Sequence, residues 1–425
     1  ADAVDMPESY RLRPSSLESS DMKIRPVVLH PAPQKPVVDG LAFILAWYVD
    51  RLDQDAVLQK LRSRINKMIE SGMCERAYFG KSRYRENFRI LLGGGSKALV
   101  QIGAVDTVRQ KGGIRIECNP AKFADGDAQQ IHHVMRDLIG RRVYNELMRR
   151  PLLNVVHFAV DIYHAALTRM LVRYDNAQRM SMMAKRVGKG GFIEGYNFGS
   201  VRSDYETTAY NKQQELVHAA ILAIAQSGSS GFNDDPLKAN KIKQLKRVLG
   251  GPEIVRVEVR GKKMRGLPLS KLSQQTNRFA RFHFADLSAS GTELDPLIEK
   301  AFLAMCRQDG VKAALGAFKH TEHARKVHAF WRSHQAAWWK PEELWQHACD
   351  ALRDTGMFPP EAFEPPDSQV EQPYKKRRRV PSATNRLDRV LSAFRSSQHH
   401  QYQPSKKVRW LAVLVAANGM LNIRI

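Results

Sequence analysis

Two periodicities alternate along residues 37–260 of the chain. Apolar residues recur every three to four positions over residues 53–71, with Leu58, Leu61 and Ile65 on one stripe, and this period predicts an amphipathic helix. A largely apolar segment just before it, residues 38–49, predicts a strand. Short strand-like runs separated by glycine-rich breaks follow, as in an antiparallel meander, and then a second predicted helix; they cover residues 88–92, 98–102 and 113–118, with the helix at residues 127–139.

The same arrangement recurs further along the chain. Residues 154–162 form another apolar run, and three strand candidates and a helix come after it, at residues 178–185, 191–198, 206–210 and 215–225. Residues 252–259 alternate apolar with charged side chains, so one face of this strand is predicted to be buried and the other to carry Arg256 and Glu258. The pattern predicts an α+β fold with a mostly antiparallel sheet backed by helices, and the recurrence suggests duplicated halves.

Composition along the chain predicts four segments. Residues 1–36 are proline-rich without periodicity and are predicted to be a flexible arm, and residues 37–290 hold the predicted sheet domain. Residues 291–358 are almost entirely helical in pattern and contain four tryptophans between Trp331 and Trp345. Residues 359–425 combine a proline-rich linker with a basic tail. The role of the tryptophan-rich helical domain stays open between a recognition module, a dimer interface and a docking site for another protein.

The charge of the chain indicates the class of its partner. Lys and Arg total 67 against 43 Asp and Glu, a net charge of +24, which favours a polyanion such as nucleic acid or an anionic membrane surface. Residues 371–410 carry eleven Lys and Arg against two acids, a local +9. The remaining residues are therefore basic as well, so the tail is not the only basic surface.

Membrane insertion and a secretory location are not expected. A spanning helix needs about 18 consecutive apolar residues, and the longest runs, residues 41–49 and 411–417, fall well short of this. Residues 1–20 have no apolar signal-peptide core, and the four cysteines lack a C-x-x-C spacing. We therefore expect a reducing, intracellular compartment and no membrane partner; the family resemblance described below implies the cytoplasm of a bacterial host cell.

Residues 195–215 carry the most informative motif, GYNFGSVRSDYETTAYNKQQE. An aromatic strand reaches Gly199-Ser200 with Arg202 and Ser203 close behind, and a second strand ends in a Tyr-x-Lys-x-x-Glu pattern that begins at Tyr210. This segment resembles the signature of the Rep-trans replication initiation factors, the rolling-circle initiators of small plasmids and filamentous phages, and of the conjugative relaxases related to them.

Three further segments resemble the family in the same order along residues 37–265. They are the opening Val-Asp strand at residues 38–41, the Arg-x-Asp-x-Ala-x-Asp strand at residues 154–162, and the late Arg-x-Glu-x-Arg strand at residues 255–260. In the middle segment Ala159 and Asp161 match, whereas Val155 and His157 stand where the family has arginine and the first aspartate. His157 and Asp161 are four apart on a strand and are still expected to share a face.

The resemblance implies a tyrosine that attacks a DNA phosphodiester and forms a 5′-phosphotyrosine intermediate, leaving a free 3′-hydroxyl. Tyr210 is the expected nucleophile, and Tyr205 is held in reserve. A phenol with a pKa near 10 is a weak nucleophile, so a divalent cation, Mg²⁺ or Mn²⁺, is expected at the phosphate. Its predicted ligands are Asp161, Glu258, His157 and Glu117.

Basic side chains are expected to offset the phosphate charge. Arg202 and Lys212 would do so at the reacting phosphate, with Ser203 beside them. Five consecutive basic residues in the tail are predicted to be a phosphate-binding arm, with a solvated charge run or a nuclear-import-like patch as alternatives; they are Lys375, Lys376, Arg377, Arg378 and Arg379.

Each residue also has a simpler interpretation. Tyr210 could be a core aromatic, Glu258 an outward charge paired with a neighbouring arginine, and Glu215 an acid that stabilises a helix N-terminus. The predicted function is site-specific nicking and rejoining of one strand of origin DNA, bound as duplex and as single strand, to start rolling-circle replication with a host helicase. The alternatives are a conjugative relaxase and a non-catalytic DNA-binding regulator on the same scaffold; the oligomeric state stays open.

Overall fold

The computed structural model describes residues 30–47, 54–80, 82–106, 113–177, 180–187, 190–200, 202–227 and 236–365. Its strands are β1 (Ala32–Pro33), β2 (Val37–Leu45), β3 (Cys74–Arg76), β4 (Tyr84–Leu91), β5 (Lys97–Ala104), β6 (Ile114–Cys118), β7 (Leu152–Tyr163), β8 (Met170–Tyr174), β9 (Met180–Val187), β10 (Gly190–Gly199), β11 (Tyr205–Asn211), β12 (Ile254–Gly261), β13 (Leu267–Pro268) and β14 (Phe282–Asp286). Its helices are α1 (Gln54–Glu70), α2 (Asp127–Ile139), α3 (Arg141–Met148), α4 (Lys212–Ser227), α5 (Pro236–Leu249), α6 (Pro296–Asp309), α7 (Val311–Ala317), α8 (Ala324–Ser333) and α9 (Pro341–Asp354).

One large sheet organises the described residues. Ten strands run in the order β3-β4-β5-β6-β2-β7-β12-β11-β10-β9, and the short strands β1 and β13 also pair with β7. Each of these pairings is antiparallel. The predicted α+β class with a mostly antiparallel sheet is therefore confirmed. The order divides the sheet into two five-strand halves that meet at the β2–β7 pair, each with one long central strand and a four-stranded meander beside it.

Helices cover one face of this sheet and build the main core. Ile65 of α1, Ile131 of α2 and Leu352 of α9 are fully buried in one cluster with the sheet. Trp345 meets Phe158 of β7 edge-on, with ring centroids 5.8 Å apart. The apolar stripe at residues 53–71 thus becomes α1, with its buried side chains at helical spacing.

A second apolar cluster forms where α6, α7 and α8 pack together. Phe302, Val327 and Trp331 are buried there, with Leu171 of β8 and Ala285 of β14. β8 and β14 pair with each other as a separate two-stranded sheet. The helices that follow residue 291 therefore do not share one core, because α9 packs on the large sheet. The segment boundaries predicted from the sequence stay predictions.

The other face of the large sheet carries polar side chains at its centre. We call this the polar face and define it by Asp161 of β7, Arg256, Glu258 and Arg260 of β12, and Tyr210 of β11. Alternation explains it, because the intervening residues Val255, Val257 and Val259 are buried in the core. None of the described helices is long and apolar enough to cross a membrane.

Candidate active site

Tyr210 lies near the end of β11, and its hydroxyl points at a buried acid on the neighbouring strand. The Oη atom donates a hydrogen bond of 2.7 Å to Oε1 of Glu258. The register explains this contact: Tyr210 is opposite Arg256 and Thr208 is opposite Glu258, so Tyr210 and Glu258 are diagonal neighbours on one face. Only 3% of Glu258 is exposed. Tyr210, the predicted nucleophile, is therefore in direct contact with Glu258, one of the predicted metal ligands.

Arg260 compensates the buried charge of Glu258. It lies two residues further along β12, on the same face, and its Nε donates to Oε2 of Glu258 at 2.6 Å. A carboxylate this deeply buried is costly without such a partner. The simpler interpretation of Glu258 was an outward charge paired with a neighbouring arginine. The side chain is buried and does not face outward, but its pairing with Arg260 is present beside the contact with Tyr210, because each carboxylate oxygen has its own donor.

The surroundings of Tyr210 keep its phenol protonated. Burial raises the pKa of Tyr210 well above its usual value, and the negative charges of Glu258 and Glu215 raise it further. Deprotonation would place a third negative charge beside two carboxylates. Tyr210 can therefore act as a nucleophile only if its proton moves to an acceptor, and Glu258 is already hydrogen-bonded to it.

The first turn of α4 closes the site on the other side of Tyr210. Lys212 donates to Oε2 of Glu215 at 2.7 Å. Burial acts to raise the pKa of Glu215, but hydrogen bonds from Lys212 and Tyr210 outweigh it and lower the pKa below its usual value. Glu215 therefore remains a carboxylate. Its position at the N-terminus of α4 is also favourable for an acid.

Asp161 is held by an arginine. Nε and Nη2 of Arg256 donate to its two carboxylate oxygens at 2.6 and 2.7 Å, a bidentate pair between directly opposite residues of β12 and β7. Burial acts to lower the pKa of Arg256, but Asp161 holds it above its usual range.

Asp39 joins this group through an irregularity in β2. The β2–β7 register shifts between Val38 and Gly40, which leaves Asp39 out of the ladder. Its carboxylate lies 3.6 Å from Nη1 of Arg256 and accepts a hydrogen bond of 3.0 Å from Asn119. The sequence pattern did not predict Asp39 or Asn119 as site residues, although Asp39 falls within the family-like opening strand.

His157 lies beside Gly40, opposite it on the neighbouring strand. A Cβ on residue 40 would come within 2.7 Å of Nδ1 of the imidazole, so a glycine is needed there. Nε2 is buried and has no hydrogen-bond partner within the described part of the chain. Burial, and then the charge of Arg260, lowers the pKa of His157, which leaves the ring neutral with a free lone pair at neutral pH.

The four predicted metal ligands do not converge. Arg256 holds Asp161, Arg260 holds Glu258, and Arg115 lies 2.6 Å from the half-exposed carboxylate of Glu117. Nε2 of His157 is the atom best suited to a metal ion. Over the described residues, however, no three His, Cys, Asp or Glu side chains are grouped as a metal site. In this arrangement the residues do not fit Mg²⁺ or Mn²⁺, and metal dependence stays a prediction.

Tyr205, the reserve nucleophile, lies at the opposite end of β11. Tyr210 is five positions further along the extended strand, roughly 17 Å away. The guanidinium of Arg278 lies over its ring, 4.2 Å from the centroid, and its hydroxyl contacts the sulfur of Met264 at 3.4 Å. Burial raises the pKa of Tyr205 as well. These are the contacts of a packed aromatic side chain. None of them is a hydrogen bond from the Tyr205 hydroxyl to a carboxylate.

Arg202 and Ser203 also lie at this distant end. Oγ of Ser203 accepts from the backbone N–H of Ser200 at 2.7 Å and donates to the carbonyl of Ser200 at 2.9 Å, which shapes the turn between β10 and β11. Arg202 is exposed. The structure therefore joins Tyr210, Lys212, Glu258 and Asp161 on the polar face and does not bring Arg202, Ser203 or Tyr205 to them. Lys375, Lys376, Arg377, Arg378 and Arg379 lie outside the described residues.

Comparison with known proteins gives little further information. No model of a known protein family matches the chain, and no curated protein sequence is significantly similar to it. A solved structure of a rolling circle replication initiator protein from Geobacillus stearothermophilus is similar over 74% of this chain and 96% of its own, with 13% sequence identity and a TM-score of 0.29. Similarity at this level does not establish a common fold.

Proposed function

We propose that this protein nicks and rejoins one strand of DNA at a replication origin and so initiates rolling-circle replication. The observation that carries the proposal is the hydrogen bond of 2.7 Å from the hydroxyl of Tyr210 to the buried carboxylate of Glu258. It joins a nucleophile to a proton acceptor, and three cations, Arg256, Arg260 and Lys212, surround the pair.

The proposed reaction begins with proton transfer. As the Tyr210 oxygen bonds to phosphorus, its proton passes to Glu258, and the bond between phosphorus and the 3′-oxygen of the preceding nucleotide breaks. The departing oxygen takes that proton and becomes a free 3′-hydroxyl. The DNA 5′ end stays on Tyr210 as a phosphotyrosine, and the reverse sequence rejoins a strand.

Charge neutralisation is the second requirement. A phosphodiester that approaches Tyr210 meets two carboxylates, so cations must hold it there. Arg260 and Lys212 each bind a carboxylate beside Tyr210 and could redirect donor groups toward the phosphate. A requirement for Mg²⁺ or Mn²⁺ forms part of the proposal, and nicking with and without a chelator tests it; Asp161 and Glu258 would have to leave their arginines to bind either ion.

The test is a nicking assay on supercoiled plasmid that carries the origin, with Tyr210→Phe and the control Tyr205→Phe. Wild type and Tyr205→Phe should give open circles with protein attached to the 5′ end. Tyr210→Phe should fold and bind DNA but lose the adduct, with activity reduced by orders of magnitude. An adduct mapped to Tyr205, or normal nicking by Tyr210→Phe, would refute the assignment.

A second candidate, a non-catalytic DNA-binding regulator, is favoured by one observation. Arg256 occupies both carboxylate oxygens of Asp161, a side chain expected to bind metal in a nicking enzyme. If the protein is such a regulator, the wild type should bind origin DNA but form no adduct under any metal condition. The same assay, read alongside binding, therefore separates the two functions.

A further inference from the structure

α5 differs in charge from the other elements around the site. Its 14 residues, PLKANKIKQLKRVL, include five lysines and arginines and no acid. Lys243, Lys246 and Arg247 are exposed. Spacings of three and four residues place them on one side of the helix. We call these three side chains the basic face of α5.

The basic face has no acidic partner among the residues that the structure describes. Within the part of the chain that the structure describes, none of its three cations forms an ion pair, whereas Arg256, Arg260 and Lys212 in the site each hold a carboxylate. Lys246 and Arg247 lie in the last turn, where cations favourably oppose the helix dipole. That effect fades within one turn and does not account for Lys243 or for the lack of any acid along the helix.

Hydrogen bonds from α4 hold the C-terminal end of α5 close to Tyr210. Nε2 of Gln213, three residues after Tyr210, donates to the carbonyl of Val248 at 2.9 Å and to that of Gly251 at 3.2 Å. α4 packs along α5 and contacts β12. The C-terminal end of α5 is thus tied to the first turn of α4, and Lys243 lies only about 9 Å of helix away from Leu249, the last residue of α5.

We propose that the basic face of α5 binds the phosphate backbone of the DNA strand that enters the Tyr210 site. This inference rests on the proposed function, because it names the element that holds the substrate of that site. Phosphates are the complementary partner for unpaired cations on a fixed helix. A second copy of the chain is a poorer partner, since a two-fold contact through this face would place like charges against each other.

The test compares two triple variants with the same loss of charge. One is Lys243→Gln, Lys246→Gln and Arg247→Gln; the control is Lys312→Gln, Arg325→Gln and Lys326→Gln, three exposed residues on α7 and α8 that are also unpaired within the described chain. Both are made in Tyr210→Phe protein, so covalent adducts do not contribute. Binding to a fluorescent single-stranded oligonucleotide is measured by anisotropy at several salt concentrations.

The slope of log affinity against log salt should become shallower by about 2 in the α5 variant, from about 0.7 for each of three single-strand phosphates, and should stay unchanged in the control. When the salt concentration rises from 50 to 200 mM, the α5 variant should therefore lose about 15-fold less affinity than the protein with an intact α5. The variant Lys243→Arg with Lys246→Arg keeps both positive charges and should therefore have the wild-type slope. Equal slopes in both triple variants, or a change in oligomeric mass with the α5 variant alone, would overturn the inference.

Failure of this inference is distinguishable from failure of the proposed function. The binding slope is read without catalysis, so a protein that never nicks DNA can still show the effect of α5. Conversely, normal nicking through Tyr210 with an unchanged slope in the α5 variant would leave the reaction in place and remove α5 from the binding surface.

Discussion

The hydroxyl of Tyr210 donates to a carboxylate that is itself buried, and this contact decides when the proton can leave. Burial first, and then the charges of Glu258 and Glu215, raise the pKa of the phenol. Removing one of these negative charges makes a tyrosinate easier to form. The site therefore holds no standing tyrosinate, and in the proposed reaction the proton would have to leave as the attack occurs.

We predict that Tyr210 stays protonated when ordinary tyrosines ionise, near pH 10. Carbon-13 NMR of protein labelled at tyrosine Cζ, titrated to pH 11, measures this, with Tyr210→Phe to assign the signal. In Glu258→Gln the pKa should fall toward the ordinary value, because a charge and a hydrogen-bond acceptor are lost. A wild-type signal that titrates at or below pH 10 would contradict the role of Glu258.

At this scale the sequence predicts the residue types of the site better than their partners. Alternation in β12 places Arg256, Glu258 and Arg260 on one face, and a pairing of Glu258 with an arginine follows from that pattern. Asp39 could not be assigned, because its contact with Arg256 depends on the register shift in β2. Such a shift arises from the packing of two strands that are distant in the chain.

Among the elements, β11 and the loop after β12 are joined by a partly buried ion pair. Lys262 donates to Oε2 of Glu206 at 2.5 Å, and Asn197 of β10 donates to Oε1 at 2.9 Å. The hydrogen bond from Lys262 lowers the pKa of Glu206, burial opposes this, and Asn197 lowers it further. Protonation of Glu206 therefore weakens the connection between three elements.

We predict that this pair stabilises the fold at neutral pH and stops doing so in acid. Because the pKa is lower in the folded state than in the unfolded chain, its contribution is complete above the unfolded value of 4.5 and is lost as the pH falls through the folded value. Lys262→Met should lower the free energy of unfolding by about 1–3 kcal/mol at pH 7.

Urea unfolding between pH 3 and 7 measures this effect. The difference between Lys262→Met and wild type should shrink as the pH falls below 4. Lys263→Met is the control, since Lys263 is exposed and donates to the backbone carbonyl of Arg202, which does not titrate. A difference that is constant across the whole range would contradict the link to Glu206.

Helices and strands with a clear hydrophobic periodicity could be predicted from the sequence. Elements whose position depends on contacts with distant parts of the chain could not. The stripe of α1 and the alternation of β12 appear in the sequence because each buries one face. α5 was not predicted, since most of its described side chains are exposed and its connection to Gln213 is a tertiary contact. β8 and β14 lie far apart in the chain, so neither reveals the other.

Across the whole molecule, the helical segment after residue 291 divides between two cores. Trp331 belongs to the cluster of α6–α8, whereas Trp339 and α9 belong to the core of the large sheet. The periodicity of this segment predicts helices correctly, but it cannot predict what they pack against, because the partners are strands far away in the chain.

We predict that Leu352→Ala in α9 destabilises the sheet along with the helix. Leu352 is fully buried, and removing such a side chain costs about 2–5 kcal/mol. Thermal unfolding followed by both far-UV and tryptophan signals should shift as one transition. Leu297→Ala on α6, where Leu297 is 73% exposed, should change the stability by less than about 0.5 kcal/mol. Two separate transitions, with only one shifted, would favour an independent helical domain.

The register in which β12 pairs with β7 and β11 also determines whether the site can form. If β12 slipped by one residue, Val255, Val257 and Val259 would turn outward and three charged side chains would enter the core. Such a misaligned chain could neither bury its sheet nor bring Glu258 to Tyr210. If the proposed function is right, a chain with this misalignment could not cleave DNA, because Glu258 reaches Tyr210 only in the native register of β11 and β12.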